Sequence, residues 1–213
     1  KAAGLDVENV IFHPMIMGGG FGRRFPDVVE IIDQIALVAK QVPYPVKLVW
    51  SREEEVRHGT YRPQSSAGLK ASIKDGAITA LRIDYAQSGN AEGEVPFIYA
   101  IPATSRRHFA YQSNQIDGPW RSVNATQLGF YTESFMDELA AAAGEDPYQF
   151  RRKHLPDGSR HQKVLDMVAQ RSGWGTPLPE GTGRGIAIVE SFGTIVAEVI
   201  EATTKEDGSP KVL

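Results

Sequence analysis

Residues 17–27 read Met-Gly-Gly-Gly-Phe-Gly-Arg-Arg-Phe-Pro-Asp, which puts Gly18, Gly19, Gly20 and Gly22 directly before two adjacent arginines. Glycine admits positive φ and lets a backbone come within contact distance of a ligand, so such a run belongs where the main chain itself must lie against something. Ahead of it stand two short apolar runs, Val10 to Phe12 and Met15 to Met17. Beyond it Val28, Ile31, Ile32, Ile35, Val38 and Val42 recur at helical spacing, which predicts an amphipathic helix with Asp27 as its N-cap. That helix must end before Pro43 and Pro45, which cannot continue it. Val46 to Trp50 then reads as a buried strand, giving the order strand, glycine loop, helix, strand. A loop that opens a helix presents unpaired N–H groups and a positive dipole end, which favour an anion. Arg23 and Arg24 could grip a phosphate through two parallel hydrogen bonds. The other reading is a tight turn whose arginines point to water.

Two familiar phosphate loops can be tested on these residues. A Walker loop ends in Gly-Lys-Ser/Thr, and here Arg23-Arg24-Phe25 stands instead. The dinucleotide fingerprint Gly-x-Gly-x-x-Gly, begun at Gly18 and Gly20, would need glycine at position 23, which is arginine. Glu53, after the expected strand, could stand in for the ribose-binding acid, so a nicotinamide or flavin reading stays open as an alternative.

Further along, apolar and polar residues alternate on both sides of Asp75-Gly76, which predicts an antiparallel hairpin over residues 65–87. Residues 88–106 read as irregular. A second loop, Ile-Asp-Gly-Pro-Trp-Arg-Ser-Val-Asn-Ala-Thr-Gln over 116–127, precedes a helix closed by Gly144. Asp146-Pro147 restarts a short helix, with Asp as cap and Pro at its first position. A further helix is expected over Arg160–Ser172, and two strands lead from 183 toward a turn at Asp207-Gly208. Helices and hairpins without a βαβ rhythm predict an α+β fold, sheets flanked by helices.

Composition narrows the function. The formal net charge of −3 leaves no footprint for nucleic acid. The lack of cysteine removes disulfides, thiolate metal sites and cysteine nucleophiles together. No apolar run reaches the length of a membrane span in this stretch. The chain starts without an initiator Met or a signal-peptide pattern and stops just after a turn, so both ends are expected to be cuts in a longer protein. His13, His58 and His108 lack a second ligand at metal spacing and are expected to be structural. Arg57, Tyr61 and Arg62 are expected on an exposed turn, in preference to a substrate-facing cluster.

The segment Gly-Gly-Gly-Phe-Gly-Arg-Arg closely resembles the glycine loop of molybdenum-binding subunits in the xanthine dehydrogenase and aldehyde oxidase superfamily. The stretch from Val28 to Pro63 is similar to the branch that holds the beta subunit of isoquinoline 1-oxidoreductase and membrane-associated aldehyde dehydrogenases. That branch usually carries Arg-Arg where xanthine dehydrogenases carry Gly-Lys. Residues 118–151 resemble its second cofactor-proximal segment, and 173–202 a third stretch.

The resemblance implies a partial molybdenum cofactor-binding domain, with the glycine loop, helix and hairpin in about 1–110 and the second segment with later helices and strands in 111–213. The intact subunit would be a molybdenum hydroxylase that oxidises N-heteroaromatic or aldehyde substrates with water as oxygen source. Its cofactor would be molybdopterin cytosine dinucleotide carrying molybdenum. Electrons would leave through the [2Fe-2S] clusters of a small partner subunit, with a cytochrome c as a candidate onward acceptor. Gly19, Gly20, Phe21 and Gly22 would offer backbone amides to the cofactor, Trp120 and Arg121 would lie beside it, and Gln127 closes that motif. Arg23 and Arg24 join this set on charge alone. No side chain is expected to ligate the metal. The family's general base is a glutamate in Gly-x-Gly-Glu, which does not occur here; Glu180 in Pro-Glu-Gly-Thr-Gly precedes its glycines. No catalytic residue is therefore expected in this chain, which alone would be inactive. The branch implies a periplasmic location or the periphery of the inner membrane. A scaffold domain that binds no cofactor is the alternative from another class.

Overall fold

The computed structural model describes residues 4–24, 30–88 and 97–213. Compact units do not follow sequence order: one takes Lys1–Gln64 and Tyr111–Val123, the other Ser65–Ala110 and Asn124–Leu213. The stretches before and after residue 110 thus each contribute to both units. Among the described residues no helix is long and apolar enough to cross a membrane.

In the first unit, α1 spans Glu30–Ala39 and ends before the two prolines, as their geometry requires. Its expected N-cap, Asp27, lies outside the described residues. Among the described residues the two flanking strands do not form. Residues 10–17 and 46–50 run without ladder partners among the described residues, and Ile16 and Val49 are exposed. Apolar runs supply side chains for a strand, but a strand exists only where another main chain pairs with it. A helix that apolar periodicity does not announce follows at once: α2, Arg52–His58, whose N-cap Ser51 accepts the Glu54 N–H at 3.1 Å. Three glutamates occupy its first turn and Arg57 with His58 its last, which complements the helix dipole. Glu53 therefore sits at a helix start and not behind a strand, which removes the position on which its dinucleotide role depends.

The second unit is α+β. Strands β1, Ser65–Lys74, and β2, Ala77–Ser88, pair antiparallel with Ser65 opposite Gln87 and Lys74 opposite Ala77. Asp75 and Gly76 both take positive φ, 51° and 74°, the two-residue turn that matches strand twist. β3, Ala103–Tyr111, adds to the far side of β2. Part of it falls in the stretch expected to be irregular. All its residues are exposed, so its sequence carries no alternation to read, and only pairing with β2 makes it a strand.

α3 spans Ala125–Ala143 and closes at Gly144; α4 spans Pro147–His154, with the Asp146 carboxylate accepting the Gln149 N–H. α5 spans Arg160–Ser172, as expected, capped by Ser159. β4, Thr182–Ser191, and β5, Thr194–Thr204, form a second hairpin that β6, Pro210–Val212, extends. The β4–β5 turn is Phe192-Gly193. Its residues carry no signal of it, because phenylalanine occupies the left-handed place normally held by Asn, Asp or Gly.

α3 packs against both sheets. Leu128, Tyr131 and Phe135 meet Leu81, Ile83 and Tyr85 of β2, while Met136, Leu139 and Ala140 join Phe150, Leu165, Ile186 and Ile188. Inside this core Glu133 accepts from Tyr99 Oη at 2.6 Å, Arg151 Nε at 2.8 Å and the Ile188 N–H at 3.0 Å. Arg151 is fully buried and also bonds Asp137 and the Glu133 carbonyl. Burial raises the Glu133 carboxyl and Arg151 opposes it. A buried charge is tolerated only when paired and hydrogen-bonded in this way.

Candidate functional site

The glycine loop and the second loop meet backbone to backbone. Gly22 has φ of +94°, and a β-carbon there would lie 2.3 Å from the Pro119 carbonyl oxygen and 2.9 Å from Trp120 Cα. Only glycine fits that approach. The contact is sealed by the Arg121 N–H, which donates to the Phe21 carbonyl at 3.1 Å. Within the first loop the Arg23 N–H donates to the Gly20 carbonyl at 2.9 Å, closing a tight turn. Phe21 at its tip has φ of 51° and a ring 64% exposed. Gly19 accommodates that ring, and Gly20 packs on the Arg24 stem.

A third segment locks the second loop. The Tyr61 N–H donates to the Ile116 carbonyl and the Gly118 N–H to the Tyr61 carbonyl, both at 2.9 Å. One residue on, Arg62 Nη2 donates to the Arg121 carbonyl and Nη1 to the Val123 carbonyl, each at 2.9 Å. The same guanidinium lies over the Trp120 ring, 5.9 Å from its centroid. Between the two clamped carbonyls the chain is strained: Ser122 and Val123 take φ of 68° and 45°. For a β-branched residue this is an outlier, and each such position costs about 1–3 kcal/mol. Hydrogen bonds from a charged donor contribute about 1.5–3 kcal/mol each, so the two Arg62 bonds match the strain in size.

This corrects the expectation of an exposed turn at Arg62. The residue is half-buried, and burial lowers the pKa of its guanidinium, which stays charged. No signal within a few residues could reveal a partner so far along the chain.

The remaining candidates divide. Trp120 is half-exposed; the Arg121 backbone is held at both its N–H and its carbonyl while the side chain reaches the surface. Arg24 Nη2 pairs with Glu55 at 3.4 Å, and half-buried Arg23 stacks over Trp50 at 5.4 Å. Both arginines thus have protein partners, which the view of a loop with two solvent-facing charges did not contain. Gln127 belongs to the second unit, in the first turn of α3. Its carboxamide oxygen and nitrogen are buried without a hydrogen-bond partner among the described residues. Leaving such a group unpaired costs about 1–3 kcal/mol, so the position suits a polar ligand. Among the described residues no three His, Asp or Glu side chains come together as a metal site, and His13 is exposed.

Within the first unit, then, the glycine loop and the 116–123 loop meet through main chain, with the Phe21 and Trp120 rings at the surface. Residues 1–155 match the sequence profile of the molybdopterin cofactor-binding domain, and the chain belongs to that family. It is 29% identical over 191 residues to the beta subunit of isoquinoline 1-oxidoreductase of Brevundimonas diminuta, covering 80% of this chain and 24% of the relative. It is 29% identical over 192 residues to one of the subunits of nicotinate dehydrogenase from Pseudomonas putida, covering 75% of this chain and 15% of that protein. Among solved structures, aldehyde oxidoreductase of Desulfovibrio gigas shares the fold with a TM-score of 0.63 at 21% identity, over 92% of this chain and 25% of that one. The chain therefore spans about a quarter or less of each of these proteins.

Proposed function

We propose that the intact protein is a molybdenum hydroxylase and that this chain forms part of the wall around its molybdopterin. The observation that carries the reading is the Gly22 to Pro119 approach, a main-chain contact that only a residue without a β-carbon admits. In the second unit, taken by itself, the Gln127 amide is buried without a hydrogen-bond partner among the described residues and suits a polar ligand with both donors and acceptors, as a pterin and its phosphates are. When bound, the cofactor supplies the redox centre at which a substrate C–H and water become C–OH, releasing two electrons and two protons.

The chain's own residues bind and orient. Gly19 to Gly22 present donors to the anionic ligand. The Arg121 guanidinium adds a cation beside it, and the Phe21 and Trp120 rings screen it from water. Arg23 and Arg24 reach phosphate from their places over Trp50 and beside Glu55. Gly-x-Gly-Glu is absent from this sequence, so the proton-abstracting glutamate comes from elsewhere in the protein. The relatives' names support N-heteroaromatic or aldehyde substrates. We extend the reading to the cytosine dinucleotide form of the cofactor, a [2Fe-2S] small subunit, a cytochrome c acceptor, and a periplasmic or inner-membrane-peripheral location.

Elemental and nucleotide analysis of the purified full-length protein tests this. Molybdenum equimolar with cytidine monophosphate released by acid is the expected result. Metal-free protein that oxidises substrate with added NAD would overturn it.

A further inference from the structure

Arg62 is not among the residues that the glycine loop or the second loop brings to mind, yet it is the part on which the second loop's shape depends. Its fork reaches the carbonyls on either side of Ser122, at 2.9 Å each, and its face covers Trp120. The two residues that these bonds bracket are consecutive, left-handed and neither is glycine. A turn of this shape reverts to an ordinary conformation unless its surroundings over-determine it. The Val123 N–H to Trp120 carbonyl bond, at 2.7 Å, closes the turn but leaves two outward carbonyls, and Arg62 takes both.

We infer that Arg62 is a positioning residue: by holding Ser122 and Val123 left-handed it sets Arg121 and Trp120 in place for the ligand. The need for that placement rests on the function proposed above; the clamp does not. Planar, bidentate and stacked geometry is specific to arginine. A lysine at this position keeps the charge but reaches one carbonyl as a point donor and cannot cover the ring. No proton or electron moves in this role, and Arg62 need not touch the cofactor.

The test uses the intact subunit. Native-state trypsin cleavage of the Arg121–Ser122 bond, followed by mass spectrometry, reports the loop directly. Arg62→Gln is expected to raise that rate by at least about tenfold, the ratio that accompanies loss of even one of the two hydrogen bonds, with Arg62→Lys intermediate. Molybdenum per subunit falls in the same order. Adding Ser122→Gly and Val123→Gly to Arg62→Gln removes the strain that the clamp opposes, and is expected to restore molybdenum content. A fall in thermal midpoint without glycine rescue would reduce Arg62 to a packing residue and overturn the inference. So would an unchanged cleavage rate. Wild-type protein free of molybdenum would instead overturn the functional reading, while the cleavage rates of the Arg62 variants would still decide the clamp.

Discussion

The Pro119 carbonyl oxygen lies 2.3 Å from where a β-carbon on Gly22 would stand, so the two loops meet main chain to main chain there. Gly22→Ala would have to part the loops or flatten φ from +94°, and either breaks the Arg121 to Phe21 bond. We expect Gly22→Ala to lower molybdenum content in the intact subunit and Gly22→Asp to abolish it. Normal metal content in Gly22→Asp would remove this loop from the site.

Arg121 is held in place by its backbone N–H and carbonyl, and its side chain reaches the surface. Arg121→Ala is expected to lower kcat by at least about tenfold, or about 1.4 kcal/mol of transition-state stabilisation, with an unchanged thermal midpoint. Steady-state kinetics and a melting curve decide it; an equal fall in the midpoint would make Arg121 structural.

Gln127 should show the opposite signs in its two readouts. Its buried amide atoms have no partner among the described residues, so Gln127→Leu relieves a penalty of about 1–3 kcal/mol in cofactor-free protein. We expect denaturant stability of that form to hold or rise while molybdenum loading drops. Loss of stability together with normal loading would contradict a ligand role.

The Glu133–Arg151 pair answers to a different logic. Arg151→Met leaves a carboxylate buried without its partner and is expected to destabilise the second unit by about 3–5 kcal/mol. Adding Glu133→Leu, which removes the stranded charge, should return part of that loss. Urea midpoints for the single and double variants measure both effects.

His154 makes the second unit acid-sensitive. Its Nε2 accepts the Ile78 N–H at 2.9 Å and Nδ1 donates to the Phe150 carbonyl at 2.7 Å, an arrangement open only to the neutral ring. Burial lowers its pKa, with Lys153 acting the same way, while the Phe150 bond and Glu145 oppose them. Since the folded pKa is depressed, the unfolded chain takes up the proton first. Stability is therefore flat above about pH 6.5 and falls as pH drops from there toward the folded pKa. Melting curves between pH 5 and 8 should show a shallower acid loss for His154→Gln than for wild type, from a lower starting midpoint.

Much of this protein was legible wherever a signal and its consequence lie within a few residues of each other. Asp75-Gly76 forces a two-residue turn, Asp146-Pro147 and Ser159 start helices, Gly144 and Gly173 end them, and glycines before Arg23 announce a bare loop. The pattern Ser51-Arg-Glu-Glu-Glu was equally local and marks α2.

Where meaning depends on a distant partner, the sequence is silent. Val46 to Trp50 has strand composition and no strand to pair with among the described residues; β3 has a partner and no composition to announce it. Local sterics and capping thus determined the turns, the helix ends and the need for glycine near position 22. Tertiary structure alone decided that Pro119 is what Gly22 must admit, and that Arg62 bridges the carbonyls around Ser122. Hydrogen bonds and close packing between remote segments are set by three-dimensional distance, which residue order does not encode locally.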